Sequence, residues 1–188
     1  MRLAIFGGTF DPIHSAHLTI AREARQQFRL DRILFVPAGN PPHKTESTSA
    51  TFEHRFRMVE LACRGSDGFV ASRLEEGDRP SYSLLTVEAV RRDLAAGDEL
   101  FFLIGADAFA EITTWFRWPE LVRRTAFLVV TRPGHEYSTP PGGIVERLEI
   151  AALPVSSSEI RDRLRRGERP EAMPEQVLDY IESHSLYR

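Results

Sequence analysis

Arg2-Leu3-Ala4-Ile5-Phe6 runs straight into Gly7-Gly8-Thr9-Phe10-Asp11-Pro12-Ile13-His14-Ser15-Ala16-His17-Leu18. Leu3 to Phe6 are apolar at consecutive rather than alternate positions, the pattern of a strand covered on both faces. Two glycines follow, and a helix begins within or just after the two histidines. Glycines let the backbone approach a ligand closely, and the unpaired N–H groups and dipole of a helix start favour a phosphate. His14 and His17, three positions apart, share one side of the first helical turn, and either can donate to a phosphate oxygen. The same residues also read as a plain turn, a cap and a surface histidine. A zinc site is a poorer reading, because the pair lacks the glutamate of H-E-x-x-H and a third ligand. The segment has neither G-x-G-x-x-G nor G-K-[ST], which removes the main support for an oxidoreductase or a P-loop NTPase.

Working outward, three more runs are apolar at consecutive positions: Ile33 to Val36, Leu100 to Ile104 and Ala126 to Val130. Between them lie helical spacings of three or four: Leu18, Ala21, Ala24, Phe28; then Phe52, Phe56, Val59, Cys63; then Leu84, Val87, Val90, Leu94. Strands alternating with amphipathic helices predict an α/β fold, a doubly wound parallel sheet in a single domain spanning 1–188, with ligands bound beyond the carboxyl ends of the strands. Two final helices, Ser156 to about Arg166 and Pro174 to about His184, are expected to pack on it. Ser156 and Glu159 have capping-box spacing, and Pro174 suits a first turn. Pro37 to Ser49 and Arg132 to Gly143 read as loops, the former placed where a lid over a site would sit.

Bulk properties narrow the function classes. Of 188 residues, 24 are basic and 27 acidic, giving a net charge of -3 with no like-charge block or basic stripe. No nucleic-acid partner is therefore expected. With Cys63 as the single cysteine, the chain can form neither an internal disulfide nor a multi-cysteine zinc site. No run approaches the roughly 20 apolar residues of a membrane span. A cytoplasmic protein with no membrane partner is the expectation.

A second anion site is suggested at Val155-Ser156-Ser157-Ser158-Glu159-Ile160-Arg161. With Ser156 as cap, the N–H groups and hydroxyls of Ser157 and Ser158 point out of a helix start, and Arg161 follows one turn later. An ordinary capped surface helix is the other reading.

Gly7 to His14, followed by His17-Leu18, resembles the signature of nucleotidyltransferases with two histidines spaced H-x-G-H, especially bacterial nicotinate-nucleotide adenylyltransferases. Ala16 stands where that family usually has glycine. Val155 to Arg161 is similar to the family's second signature, I-S-S-T-x-I-R. Asn40-Pro41-Pro42-His43-Lys44, Pro80-Ser81-Tyr82-Ser83, Gly105-Ala106-Asp107 followed by Trp115, and Arg132-Pro133-Gly134 resemble further segments of it, so the likeness covers Leu3 to Tyr187.

The resemblance implies transfer of AMP from ATP to nicotinic acid mononucleotide, with Mg2+ carried on the phosphates and no dedicated metal ligand. His14, His17, Lys44 and Arg161 would be catalytic. Gly7, Gly8, Thr9, Phe10, Gly105, Asp107, Ser157, Ser158 and Arg161 would bind ATP. Thr9, Lys44, Tyr82, Ser83, Trp115 and Arg132 would bind the acceptor. Other phosphorylated acceptors (phosphopantetheine or nicotinamide mononucleotide), a non-catalytic nucleotide-binding role and a homo-oligomer stay open. Taken alone, Lys44 also reads as a solvated loop lysine, Tyr82 as a packed cap residue and Asp107 as a helix cap.

Overall fold

Residues 1–40, 48–134, 136–151 and 155–188 are described in the computed structural model. The four apolar runs form strands β1 (Arg2–Gly8), β2 (Arg32–Pro37), β4 (Glu99–Gly105) and β5 (Ala126–Thr131). Two short strands the sequence did not reveal, β3 (Phe69–Ala71) and β6 (Val145–Glu149), flank them. All pair in parallel, in the order β3-β2-β1-β4-β5-β6.

The strands are apolar at consecutive positions because helices cover both faces. Ala4 and Phe6 of β1 join one core with residues of α1 (Ser15–Gln27), α2 (Phe52–Cys63), α6 (Ser157–Arg165) and α7 (Glu175–Ser183). Leu3 and Ile5, pointing the other way, join a second core with α3 (Ser83–Arg92), α4 (Ala106–Ala110) and α5 (Trp118–Arg124). Alternate residues of one strand therefore feed opposite layers, and each large side chain so buried contributes roughly 1.5–3 kcal/mol. Both final helices belong to the first layer, through Ile160, Leu164, Val177, Leu178 and Ile181. Pro174 proves to be the N-cap of α7 rather than a residue of its first turn. No helix among the described residues is long and apolar enough to cross a membrane.

The order reverses between β1 and β4, whose chains continue to opposite sides of the sheet. A crevice opens there beyond the strands' carboxyl ends, where sheets of this kind bind ligands. Gly7-Gly8 and Gly105 both lie on it.

Candidate active site

The turn after β1 is built on Phe10, which sits at φ 50° with its ring 2% exposed. A side chain at Gly8 would stand 3.0 Å from that ring, so any larger residue there would have to push the ring aside. Phe10 was expected to touch ATP; its ring instead lies in the core, edge-on to His17 with centroids 5.1 Å apart. It is a support for the histidine.

His14 is the N-cap of α1, in extended conformation. Its backbone N–H donates to His17 Nδ1 at 3.2 Å. The Nδ1 of His17 is thus an acceptor, and the proton of the neutral ring sits on Nε2. The two rings lie 3.9 Å apart. Burial pushes the His14 pKa down to about 4. His17 is held well below its ordinary value, by burial first and then by His14. Both rings are neutral at pH 7, and a polyanion placed beside them would favour their charged forms.

The helix start of α6 meets this turn directly. Ser156 caps it, its Oγ accepting from the Glu159 N–H at 3.2 Å. Ser157 Oγ donates to the carbonyl of Pro12 at 3.0 Å, and Arg161 Nη1 donates to the carbonyl of Asp11 at 2.8 Å. His14, Ala16, His17, Ser156 and Ser157 line one cleft of about 600 Å³, which also takes in Gly105, Asp107 and Arg132. Two helix starts far apart in sequence therefore open onto one space.

Buried polar atoms in native proteins nearly always find partners. Among the described residues, three buried side-chain nitrogens have none: His14 Nδ1, Arg161 Nε and Arg25 Nε. Two of the three belong to these two helix starts. The arrangement suits several phosphate groups held at once.

A second, more apolar cavity of about 330 Å³ lies across the sheet, lined by Gly7, Gly8, Thr9, Tyr82, Ser83 and Trp115 among others. Tyr82 stacks on Phe116 at 4.3 Å, and Trp115 meets Phe102 edge-on at 6.4 Å. Ser83 and Leu84 open α3, so their N–H groups have no intrahelical acceptor, and both residues face this cavity. Gly105 borders both spaces and joins them.

Most of the residues singled out from the sequence thus converge on two adjoining cavities. Arg132, expected on the acceptor, opens onto the cleft of the histidines instead. Asp107 lies within the first turn of α4, whose N-cap is Gly105. Ser158 lies beside Arg161, with its Oγ 3.4 Å from Nη2. Lys44 falls outside the described residues. Sequence reasoning missed Glu75, a residue lining the second cavity whose pKa burial raises and whose Oε1 accepts from Thr86 Oγ1 at 2.5 Å. It also assigned nothing to Asp11, Arg55 or Tyr187, all buried around the turn. A carboxylate inside a glycine-rich turn and an arginine inside an apolar helical stripe were the available signals.

Over residues 5–163 the sequence matches the cytidylyltransferase-like family. A probable nicotinate-nucleotide adenylyltransferase of Solibacter usitatus is 57% identical, with 100% of each chain covered. The chain belongs to the nicotinate-nucleotide adenylyltransferase family. A second relative so described, from Acidothermus cellulolyticus, is 41% identical over 100% of this chain and 94% of its own. A solved Plasmodium falciparum nicotinic acid mononucleotide adenylyltransferase, complexed with NaAD, superposes with a TM-score of 0.75 at 22% identity, covering 99% of this chain and 97% of that one. At that identity the likeness concerns the fold. Within the family pattern this chain reads His14-Ser15-Ala16-His17, so the H-x-G-H glycine is not present; Ala16 is buried in the start of α1 and lines the cleft.

Proposed function

We propose that this chain transfers AMP from ATP to nicotinic acid mononucleotide, forming nicotinic acid adenine dinucleotide and pyrophosphate, a step of NAD biosynthesis. The observation that carries the reading is the meeting of two helix starts at one cleft, tied together by Ser157 and Arg161 donating to the carbonyls of Pro12 and Asp11. A triphosphate supplies acceptors for the N–H groups that both helix starts leave unpaired. Names of relatives as similar as 57% support the same activity.

In this reading ATP lies in the cleft, with Asp107 beside its ribose and Arg161, Ser157 and Ser158 on its phosphates. The acceptor's ring enters the apolar cavity between Trp115 and Tyr82. Its phosphate oxygen attacks the α-phosphorus in line, one P–O bond forms as the bond to pyrophosphate breaks, and no covalent enzyme intermediate arises. The protein then supplies positioning and charge stabilisation. His17 Nε2–H is a donor for the charge that develops, with His14, Arg161 and Lys44 as further donors.

The N–H groups of Ser83 and Leu84 suit the carboxylate of nicotinate better than the neutral amide of nicotinamide. Mg2+ enters as part of the substrate: the cleft is lined by donors, and Asp107 is its one carboxylate among the described residues, which suits an ion carried by phosphate and water.

The test is pyrophosphate release from ATP with nicotinic acid mononucleotide, nicotinamide mononucleotide or phosphopantetheine as acceptor. Release is expected with the acid and should stop when EDTA exceeds Mg2+. Equal rates with the amide would remove the role given to the start of α3, and release with phosphopantetheine alone would replace the acceptor.

A further inference from the structure

After α7 the chain does not trail off but turns back under the site. Ser185 and Tyr187 sit at φ 52° and 62°, the left-handed region that L residues avoid. The Leu186 N–H donates to the Ile181 carbonyl at 3.0 Å, which anchors the turn to the helix. These conformations bring the Tyr187 ring into the core, 7% exposed, and its hydroxyl to Asp11 Oδ1 at 2.7 Å. Conformations of this kind persist where surrounding contacts over-determine them, most often near functional sites.

Asp11 is itself 4% exposed and fully engaged. Its Oδ2 accepts from the Ser49 N–H at 2.7 Å, and its Oδ1 accepts from the Ala50 N–H at 3.1 Å as well as from Tyr187. Its backbone carbonyl accepts from Arg161 Nη1 at 2.8 Å. The two N–H donors come from the segment before α2. Tyr187 is the one side-chain donor to this carboxylate among the described residues, and it belongs to the same layer of helices as Arg161. That layer thus grips a single residue twice, once through the side chain and once through the main chain. Burial and the adjacent carboxylate hold the Tyr187 hydroxyl protonated, so it can only donate to Asp11.

We propose that Tyr187 is a positioning residue for the transfer step, holding Asp11 so that its carbonyl oxygen fixes the guanidinium of Arg161. Without the hydroxyl, the Asp11 carboxylate keeps the N–H groups of Ser49 and Ala50 and the nearby charge of Arg55 but loses its one side-chain hydrogen bond among the described residues, and the carbonyl that orients Arg161 follows it. The groups at stake tie together the two helix starts that the proposed transfer places at the phosphates, while the acceptor cavity lies across the sheet.

This inference rests on the adenylyl transfer proposed above, and Tyr187→Phe tests it because the ring, and with it the packing, is retained. Assayed well below its melting midpoint, the variant should lose about tenfold in kcat, the consequence of one missing hydrogen bond to a buried carboxylate. Its KM for the acceptor should stay within about twofold, since that cavity is untouched. In an Arg161→Ala background the same substitution should cost almost nothing further, because the path to the phosphates is already gone. An unchanged kcat in the folded variant, or full additivity with Arg161→Ala, overturns the proposal; so does failure of Tyr187→Phe to fold, which would make the hydroxyl structural. Absence of pyrophosphate release from the parent protein would instead sink the adenylyl-transfer reading itself.

Discussion

At the scale of single residues, His14 and His17 bear on both stability and chemistry. His14 is buried and takes a proton only near pH 4, whereas a histidine in the unfolded chain takes one near 6.5. Between those values the unfolded state binds more protons, so stability falls as pH drops through the window. By about pH 5 the loss from this residue amounts to about 2 kcal/mol. Urea midpoints of the parent and of His14→Gln, compared at neutral pH and near pH 5, should show a shallower decline in the variant; parallel declines would mean that the ring is not buried as described. His17, whose pKa burial also lowers, adds to the same acid sensitivity and bears on rate as well. Its Nδ1 is occupied by the His14 N–H, leaving Nε2–H as the donor that the proposed transfer would use. His17→Ala should lower turnover by on the order of a hundredfold or more while far-ultraviolet circular dichroism stays unchanged. Turnover equal to the parent's would take His17 out of the chemistry.

At the scale of elements, the join between β2 and the start of α3 shapes the apolar cavity proposed for the acceptor. The Ser81 N–H donates to the Asn40 carbonyl at 2.9 Å, and the Asn40 N–H donates back to Ser81 Oγ at 3.0 Å. A side chain at Gly39 would stand 1.8 Å from the carbonyl oxygen of Glu75, a backbone atom that cannot rotate away. Gly39→Ala should therefore displace the segment carrying Glu75 and Ser81, raising the acceptor KM by about tenfold or more and leaving the ATP KM near its parent value. An unchanged acceptor KM in a folded variant would show that this join does not shape the cavity. The same join was invisible in the sequence, where Gly39 read only as a loop residue. Strands buried on both faces were legible because four or five apolar residues in a row have few other uses. β3 is only three residues long, and β6 buries Leu148 alone, with Glu146, Arg147 and Glu149 exposed as befits an edge that must not pair further. Hydrophobic pattern marks central strands and says little about edges. For the site, local signals found both helix starts. The contacts that bind them together, Asp11 to Tyr187 and Arg161 to the Asp11 carbonyl, span 176 and 150 positions and leave no local trace.

At the scale of the whole molecule, the reversal of strand order does the organising. A more polar cleft opens toward α1 and α6 and an apolar cavity toward α3 and α5, with Gly105 bordering both. A dinucleotide would occupy the two at once, and its halves one each. Joining two ligands that fill adjacent sites makes the second contact intramolecular, at an effective concentration in the millimolar range when the geometry fits. Nicotinic acid adenine dinucleotide should accordingly bind on the order of a hundredfold more tightly than AMP or nicotinic acid mononucleotide. At equal concentration it should raise the melting midpoint further than either. Calorimetric titration with the three compounds, backed by thermal melts, measures this directly. Were the dinucleotide to bind no better than its stronger half, the two cavities would not form one continuous site, and a single enzyme surface could not align the acceptor phosphate with the α-phosphorus of ATP.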